Sequence, residues 1–434
     1  MESDNKEEKF TKKEKNRYIL KGISSIILSI FHIFGYYSIW TLGFTTIYLI
    51  SFRWYYNKNI DYSYCFIPLI NISFSLTAPI DGYFEDKFGG QKSIILSNSI
   101  LCFSFLIMFF FRNIYLDFIL MILNGFGIAI GFNITKKNAC SFFMNKKTLI
   151  CGIINLFQNI FGIILILFNE LFINMDSPFY EKFYEIFEIG LLIFICLASL
   201  LFYFQNNPKE TIKYGFNEKI KNEEKENINN EIEEIKKNKK KLSKKLKIKK
   251  AIQDKRTIRL FMMVFLFLPT INLISNNLRM DESLSFLFGV LINIVGIISS
   301  ILFGLIGDLI QFKILFAIFS GLLSLASFYY AKNYEDELLS PILISIFISF
   351  IFNGFNVIYN SHIMKVYEID NFIEMWGIIR ASEAIIQIFG IIFNFRLDIK
   401  SSGYKIIYVI TGLFSLISLG LGLFEKDDIF DYNN

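Results

Sequence analysis

Trp376, Arg380, Glu383, Gln387, Gly390 and Asn394 recur at intervals of 4, 3, 4, 3 and 4 residues inside an otherwise apolar run. A helix turns once in about 3.6 residues, so all six share one face. Arg380 and Glu383 are then one turn apart and able to touch. Two readings of this pair are open. It is an internally neutralised structural pair, or Arg380 anchors an anionic group while Glu383 exchanges a proton.

Polar side chains inside lipid are expensive and usually face a cavity or a partner, so other polar stripes carry the same weight. Ser345, Ser349, Asn353, Asn356 and Asn360 form one; Gly289, Asn293, Gly296, Ser300 and Gly304 form a smaller one; Ser25, Ser29, His32, Tyr36 and Trp40 form a third. Asn124, Asn155 and Asn159 add isolated amides, which line a path or only bond helices to one another. His32 is one of two histidines. It is a packing residue, or it lines the path, where its pKa suits proton coupling.

Bond chemistry is not expected. Two histidines, with no HExxH and no nucleophile motif, assemble no acid–base set, so no catalytic residue is assigned and the chain is read as a non-enzyme. The five cysteines (Cys65, Cys102, Cys140, Cys151, Cys196) are odd in number and lack CxxC spacing. They read as packing residues, and neither a metal nor a cofactor is expected. Gly125-x-Gly127-x-x-x-Gly131 has no soluble strand before it and reads as small-residue helix packing, not a dinucleotide fingerprint.

The elements that hold these residues follow from composition. Of 434 residues 53% are hydrophobic, 51 are Phe, and the mean hydropathy is +0.46. A soluble chain of this length cannot hide so much apolar surface, so the lipid bilayer is the solvent. Runs long enough to cross a hydrocarbon core of roughly 30 Å lie near 22–51, 62–82, 92–111, 114–133, 148–172, 184–204, 259–277, 283–307, 312–331, 338–360, 373–395 and 403–424. The first is long enough that it must tilt or bend. Residues 1–21 are too charged for a secretory signal and form a cytoplasmic tail. A six-helix half (22–204), a Lys-rich linker (205–258), a second six-helix half (259–424) and an acidic tail (425–434) follow.

Ten of the fifteen residues from Lys236 to Lys250 are basic. Assigned to alternate sides, 34 of the 44 Lys and Arg fall with the termini, the linker and the loops of that side, 9 fall on the other, and Arg380 lies within a span. The positive-inside rule puts both termini and the linker in the cytoplasm. Ile228, Ile232, Ile235, Leu242 and Leu246 recur at helical spacing, so part of the linker reads either as an amphipathic helix on anionic lipid or as a solvated connector. No nucleic-acid partner is expected, because the basic residues follow the membrane topology.

The two halves echo each other. Asn124-Gly125-Phe126 in span 4 returns as Asn353-Gly354-Phe355 in span 10. After span 2, Gly82 is followed by Asp86, Lys87, Gly89 and Lys92; after span 8, Gly304 is followed by Asp308 and Lys313. A turn this short needs glycine for φ > 0 and for close helix approach. Its acid can meet a helix N-terminus or a basic partner across the seam between halves, and so favour one orientation of them.

With Gly82, Asp86, Lys87, Gly89 and Lys92 the chain resembles the major facilitator superfamily, whose signature between spans 2 and 3 is Gly-x-x-x-Asp-basic-x-Gly followed by basic residues. The resemblance implies an all-α membrane protein of twelve transmembrane helices in two six-helix pseudo-repeats. Spans 1, 4, 7 and 10 would line a central path with help from 2, 5, 8 and 11, and the signature residues with Gly304 and Asp308 would act as a conformational latch. Within the superfamily, Phe142-Phe143-Met144, Lys146, Lys147 and Gly152 are similar to the loop between spans 4 and 5 of the monocarboxylate porter and oxalate–formate antiporter branch. Phe172 to Pro178 is similar to the Asn-Pro that follows span 5 there. Ile297 stands where antiporter-type members carry Arg, which speaks against a two-cation clamp for a dicarboxylate. These likenesses, with the one Arg inside a span, point to a carrier of a small monocarboxylate or related organic anion, which Glu383 or His32 would couple to protons. A carrier of a neutral amino acid or sugar, or a transport-dead receptor or scaffold on the same fold, is the alternative.

Overall fold

The structure, a computed structural model, describes residues 12–41, 66–111, 113–172, 190, 193, 244–277, 282–333, 339–385, 387, 388 and 402–425. Lipid supplies no hydrogen bonds, so each spanning backbone satisfies itself as helix. Among the described residues there are twelve α-helices and no strand: α1 (Lys12–Thr41), α2 (Phe66–Phe88), α3 (Gly90–Phe110), α4 (Ile114–Phe142), α5 (Lys147–Phe172), α6 (Lys244–Gln253), α7 (Lys255–Asn277), α8 (Glu282–Ile306), α9 (Phe312–Lys332), α10 (Leu339–Val366), α11 (Glu368–Arg380) and α12 (Ser402–Gly422). Within them six segments are long and apolar enough to cross a membrane, in α3, α4, α5, α8, α9 and α10. Helix α6 belongs to the linker. The sixth expected span lies outside the described residues except for Gly190 and Ile193, both helical.

Helix α3 shows which solvent the fold expects. It buries Ser93, Ser97, Asn98 and Ser104 and exposes Phe103, Leu106 and Phe110. Ser97 donates to the Gly127 carbonyl at 2.6 Å and Ser104 to Leu120 at 3.1 Å. Small polar residues join helices and aromatic ones face outward, as suits a helix in lipid. Local signals set the ends. The Asn113 side chain caps α4, accepting from the backbone of Tyr115 at 3.0 Å, and Asp254 caps α7, accepting from Arg256 at 2.6 Å.

Helices α1 to α5 pack into one half and α7 to α12 into the other; α5 runs along α8 and α10, and α2 along α11. On the first line a Cβ added to Gly152 would stand 2.8 Å from the Gly304 Cα, so the two backbones touch. On the second, a Cβ on Gly377 would run into the Ala78 carbonyl. Both contacts lie toward the bundle end that carries the α2–α3 and α8–α9 turns. Ala78 is ten residues from the end of α2, about 15 Å into the bundle, so the halves are closed together over that depth. Helix α6 docks on α7 and α11 and buries Ala251. Leu246 lies in α6, whereas Ile228, Ile232, Ile235 and Leu242 lie outside the described residues.

Candidate substrate site and gate

Helix α11 begins at Glu368, in a left-handed conformation with φ 62°, and ends at Arg380. Beyond it the helix is interrupted at Ala381 and resumes at Ser382: Ala381 still bonds back to Gly377 at 2.9 Å, but Ala384 bonds to Ala381, an i→i+3 step, at 3.2 Å. Arg380 and Glu383 sit on this tightened turn, the kind of irregularity found at hinges. Arg380 Nε lies 2.5 Å from Glu383 Oε2. The angles fall outside hydrogen-bond geometry, so the contact is an ion pair and not a bond. Both side chains are buried, as is Gln387. Gly390 and Asn394 lie outside the described residues.

Trp376, one turn before Arg380, donates its indole N–H to Asn360 Oδ1 of α10 at 2.7 Å, which fixes the ring. The guanidinium carbon of Arg380 stands 5.5 Å from that ring's centroid. On its other side Trp376 meets the first half, with Phe74 of α2 at 5.9 Å and Phe132 of α4 at 6.3 Å between centroids. The aromatic cluster therefore closes the seam directly beside Arg380. Tyr359 of α10 lies within electrostatic reach of Arg380 and Glu383. Among the described residues its buried hydroxyl has no hydrogen-bond partner.

Two neighbouring lysines of α4 part ways here. Lys137 binds both oxygens of Glu85 on α2, at 2.8 and 3.0 Å. Lys136 is 6% exposed and places its Nζ 3.9 Å from the Phe132 centroid. By sequence Lys136 is one of the basic residues after span 4, expected to end at 133; the helix runs on to Phe142, which puts Lys136 six residues inside its end.

The polar stripe of α8 faces α5. Asn155 donates to Ser300 at 2.8 Å and to Asn353 Oδ1 at 3.0 Å; Asn159 donates to the same Oδ1 at 2.9 Å; Asn353 donates to the Ser349 carbonyl at 2.9 Å. Gly296 leaves room for Asn159, and Gly162 for Asn293. Asn155 and Asn353 thus form a buried amide ladder joining the halves. Asn293 donates to the Gly289 carbonyl at 2.7 Å on the same face, and Asn356 is half-buried one turn after Asn353. The stripe of α1 packs inside the first half. Ser29 donates to the Thr135 carbonyl at 2.8 Å, and the Tyr36 hydroxyl meets Ser97 at 3.0 Å and Asn98 at 3.3 Å. His32 is buried 6.2 Å from the Tyr36 ring, Asn124 is buried beside Met121, and Trp40 lies in the last turn of α1.

At the closed end, Gly89 takes φ 80° to turn α2 into α3, a conformation glycine holds without strain. Gly82 lies under the Glu374 side chain of α11, where a Cβ would overlap it. Asp86, Lys87 and Lys92 are exposed, with Lys87 over the Tyr83 and Phe88 rings at 5.6 and 5.3 Å. The buried acid of this turn is Asp81, whose carboxylate lies within electrostatic reach of Glu85, Glu374 and Lys137. In the second copy, Asp308 accepts from Thr148 of α5 at 2.5 Å and pairs with Lys365 at 3.0 Å, while Gly304 touches Gly152. Lys147 donates across the seam to the Met364 carbonyl in the last turn of α10 at 3.2 Å, a favourable place for a cation. Among the described residues no cluster of three or more His, Cys, Asp or Glu is arranged to hold a metal.

A family profile described as Major Facilitator Superfamily matches residues 41–390. Solved structures similar to this chain include the MFS proton:xylose symporter XylE bound to 6-bromo-6-deoxy-D-glucose, 12% identical over 93% of this chain and 95% of that one, with a TM-score of 0.70. XylE from E. coli in a partially occluded inward open conformation is 14% identical over 93% and 96%, with a TM-score of 0.66. The MFS transporter FucP in the outward conformation is 13% identical over 94% and 99%, with a TM-score of 0.61. At these identities the likeness is one of fold. A comparison with curated protein sequences finds no match.

Proposed function

Because the chain belongs to the major facilitator superfamily, we propose that it is a secondary active carrier that moves a small organic anion, in the first instance a monocarboxylate, by alternating access coupled to protons. The observation that carries this reading is Arg380, a buried guanidinium beside the aromatic seam between halves, whose carboxylate partner among the described residues, Glu383, is able to take a proton. A planar guanidinium pairs bidentately with a carboxylate. When Glu383 takes a proton, its place beside Arg380 passes to the substrate's carboxylate, and anion and proton travel together.

The halves then rock about this site. The closed end, held by Gly82, Gly304 and Asp308, is the cytoplasmic one on the positive-inside argument, with Asp86, Lys87 and Lys92 at its surface. The lysines of α6 would meet anionic lipid there. Protease protection of tags on the termini in sealed vesicles tests this orientation, and a linker shielded on the cytosolic side would overturn it.

A neutral amino acid or sugar is the second reading, supported by the 2.5 Å Arg380–Glu383 pair, which leaves Arg380 already compensated. Uptake by the full-length protein in proteoliposomes separates the two, using labelled monocarboxylates, neutral amino acids and hexoses with and without an imposed pH gradient. Acid uptake driven by the proton gradient is expected. Uptake of a hexose or amino acid and of no acid replaces the anion reading, and uptake of nothing favours a receptor or scaffold.

A further inference from the structure

Phe132 and Lys136 are four residues apart on α4, and Trp376 and Arg380 are four residues apart on α11. Each pair is an aromatic ring with a cation on its face, at 3.9 Å for Lys136 and 5.5 Å for Arg380. The two rings meet across the seam at 6.3 Å. Two buried cations, one from each half, therefore flank one aromatic contact.

Their charges are not balanced alike. Arg380 has Glu383. Lys136 has neither an ion-pair nor a hydrogen-bond partner among the described residues, and its electrostatic neighbours are the Cys151 and Cys140 thiols and the Arg380 guanidinium itself. A ring face offsets only part of what an ammonium loses on leaving water. Among Lys136, Arg380 and Glu383 one positive charge is left over at this ring contact, the acids Asp81 and Glu374 of the same seam lying instead with Glu85 and Lys137, and an uncompensated charge within a membrane-embedded helix is costly and marks a ligand path.

Resting on the anion reading above, we propose that Lys136 is a second cationic contact for the transported anion, which lies between Lys136 of the first half and Arg380 of the second. Lys136 is six residues from the closed end of its helix and Arg380 twelve, so Lys136 stands about 9 Å nearer that end. An anion leaving Arg380 toward the closed end meets it next. The arrangement also couples binding to closure. Without an anion the two cations repel across the seam, and an anion between them offsets the repulsion, so it binds the closed seam more tightly than the open one.

The test uses the full-length parent, Lys136→Gln and Lys136→Arg in proteoliposomes with labelled formate, acetate, lactate and pyruvate, and in detergent with the same anions in a thermal-shift assay. Lys136→Gln should raise KM about tenfold or more, with Lys136→Arg within about threefold of the parent, since tenfold is the scale on which one charge contact registers. Lys136→Gln without ligand should be at least as heat-stable as the parent, because it removes an uncompensated buried charge, and should lose the stabilisation that the anions confer. A parent that takes up none of the four overturns the anion reading and this assignment with it. A parent that takes them up while Lys136→Gln keeps its KM and its anion-induced shift overturns the assignment alone. A Lys136→Gln that is less stable when empty makes Lys136 a structural residue.

Discussion

The Thr148 hydroxyl of α5 donates to Asp308 at 2.5 Å and receives the hydroxyl of Ser361 on α10, also at 2.5 Å. One side chain of the first half is thereby tied to two elements of the second. Thr148→Val removes both bonds while Asp308 keeps Lys365, a loss of about 0.5–1.5 kcal/mol per bond borne by the closed conformer. The turnover rate should change several-fold while substrate affinity at equilibrium stays within about twofold, because a latch biases conformers without touching the solute. Asp308→Asn should act in the same direction. Asp86→Asn, at the first copy of the motif, should also change rate more than affinity, but by less than Asp308→Asn, which loses the bond to Thr148. Equal effects of the two Asp substitutions in a transport assay would remove the seam bond as the reason.

Gly377 is the tightest test of closure. An alanine methyl there has to displace the backbone at the Ala78 carbonyl, which a packed helix pair does not absorb. Gly377→Ala should hold the α2–α11 line apart. Spin labels at Lys92→Cys and Gln311→Cys, both on exposed positions of the two turns, should report a longer distance than in the parent. An unchanged distance distribution would mean that the contact does not limit closure.

The Arg380–Glu383 pair separates the anion and neutral readings. On the anion reading Arg380→Lys weakens acid uptake about tenfold and Arg380→Gln nearly abolishes it, since an ammonium does not reproduce the bidentate geometry. Glu383→Gln should leave uptake insensitive to an imposed pH gradient. The double variant Arg380→Gln with Glu383→Gln should fold, because no unpaired charge is left, yet not carry anions. Full acid transport by that double variant would remove Arg380 as the anchor.

Glu425, just beyond α12, accepts from Arg256 at 2.7 Å and lies 3.4 Å from His362, whose ring stacks on Phe312 at 3.9 Å. Burial raises the affinity of its carboxyl for a proton, but His362 and Arg256 together outweigh burial and hold its pKa below the usual glutamate value. A depressed carboxyl contributes stability that is fully present above the unfolded pKa, about 4.3, and is lost as pH falls through the folded one. Glu425→Gln should cost about 1.5–3 kcal/mol at pH 7, and the gap should begin to narrow as the pH falls below about 4.3. Thermal unfolding of the parent and variant between pH 3.5 and pH 8 measures it; a gap independent of pH would assign the loss to packing.

Hydropathy and local spacing are properties of the chain alone, and from them came the helical membrane fold, the repeated turn at Gly82 and Gly304, and the placing of Arg380 and Glu383 within reach of each other. A period of 3.6 residues states which side chains share a face. It does not state what that face meets. Gly289, Asn293, Gly296, Ser300 and Gly304 share a face by their spacing alone, yet only the crossing of α8 on α5 makes that face a seam, with Asn155 and Asn159 filling the space its glycines leave. Asp81 and Asp86 differ in the same way: the acid of the motif is exposed, and the one beside Gly82 is buried against the other half. Lys136 and Lys137 are identical neighbours, about 100° apart around one helix. Tertiary packing gives Lys137 a carboxylate and Lys136 a ring at the seam, because the helices reaching each side of α4 come from parts of the chain far apart in sequence.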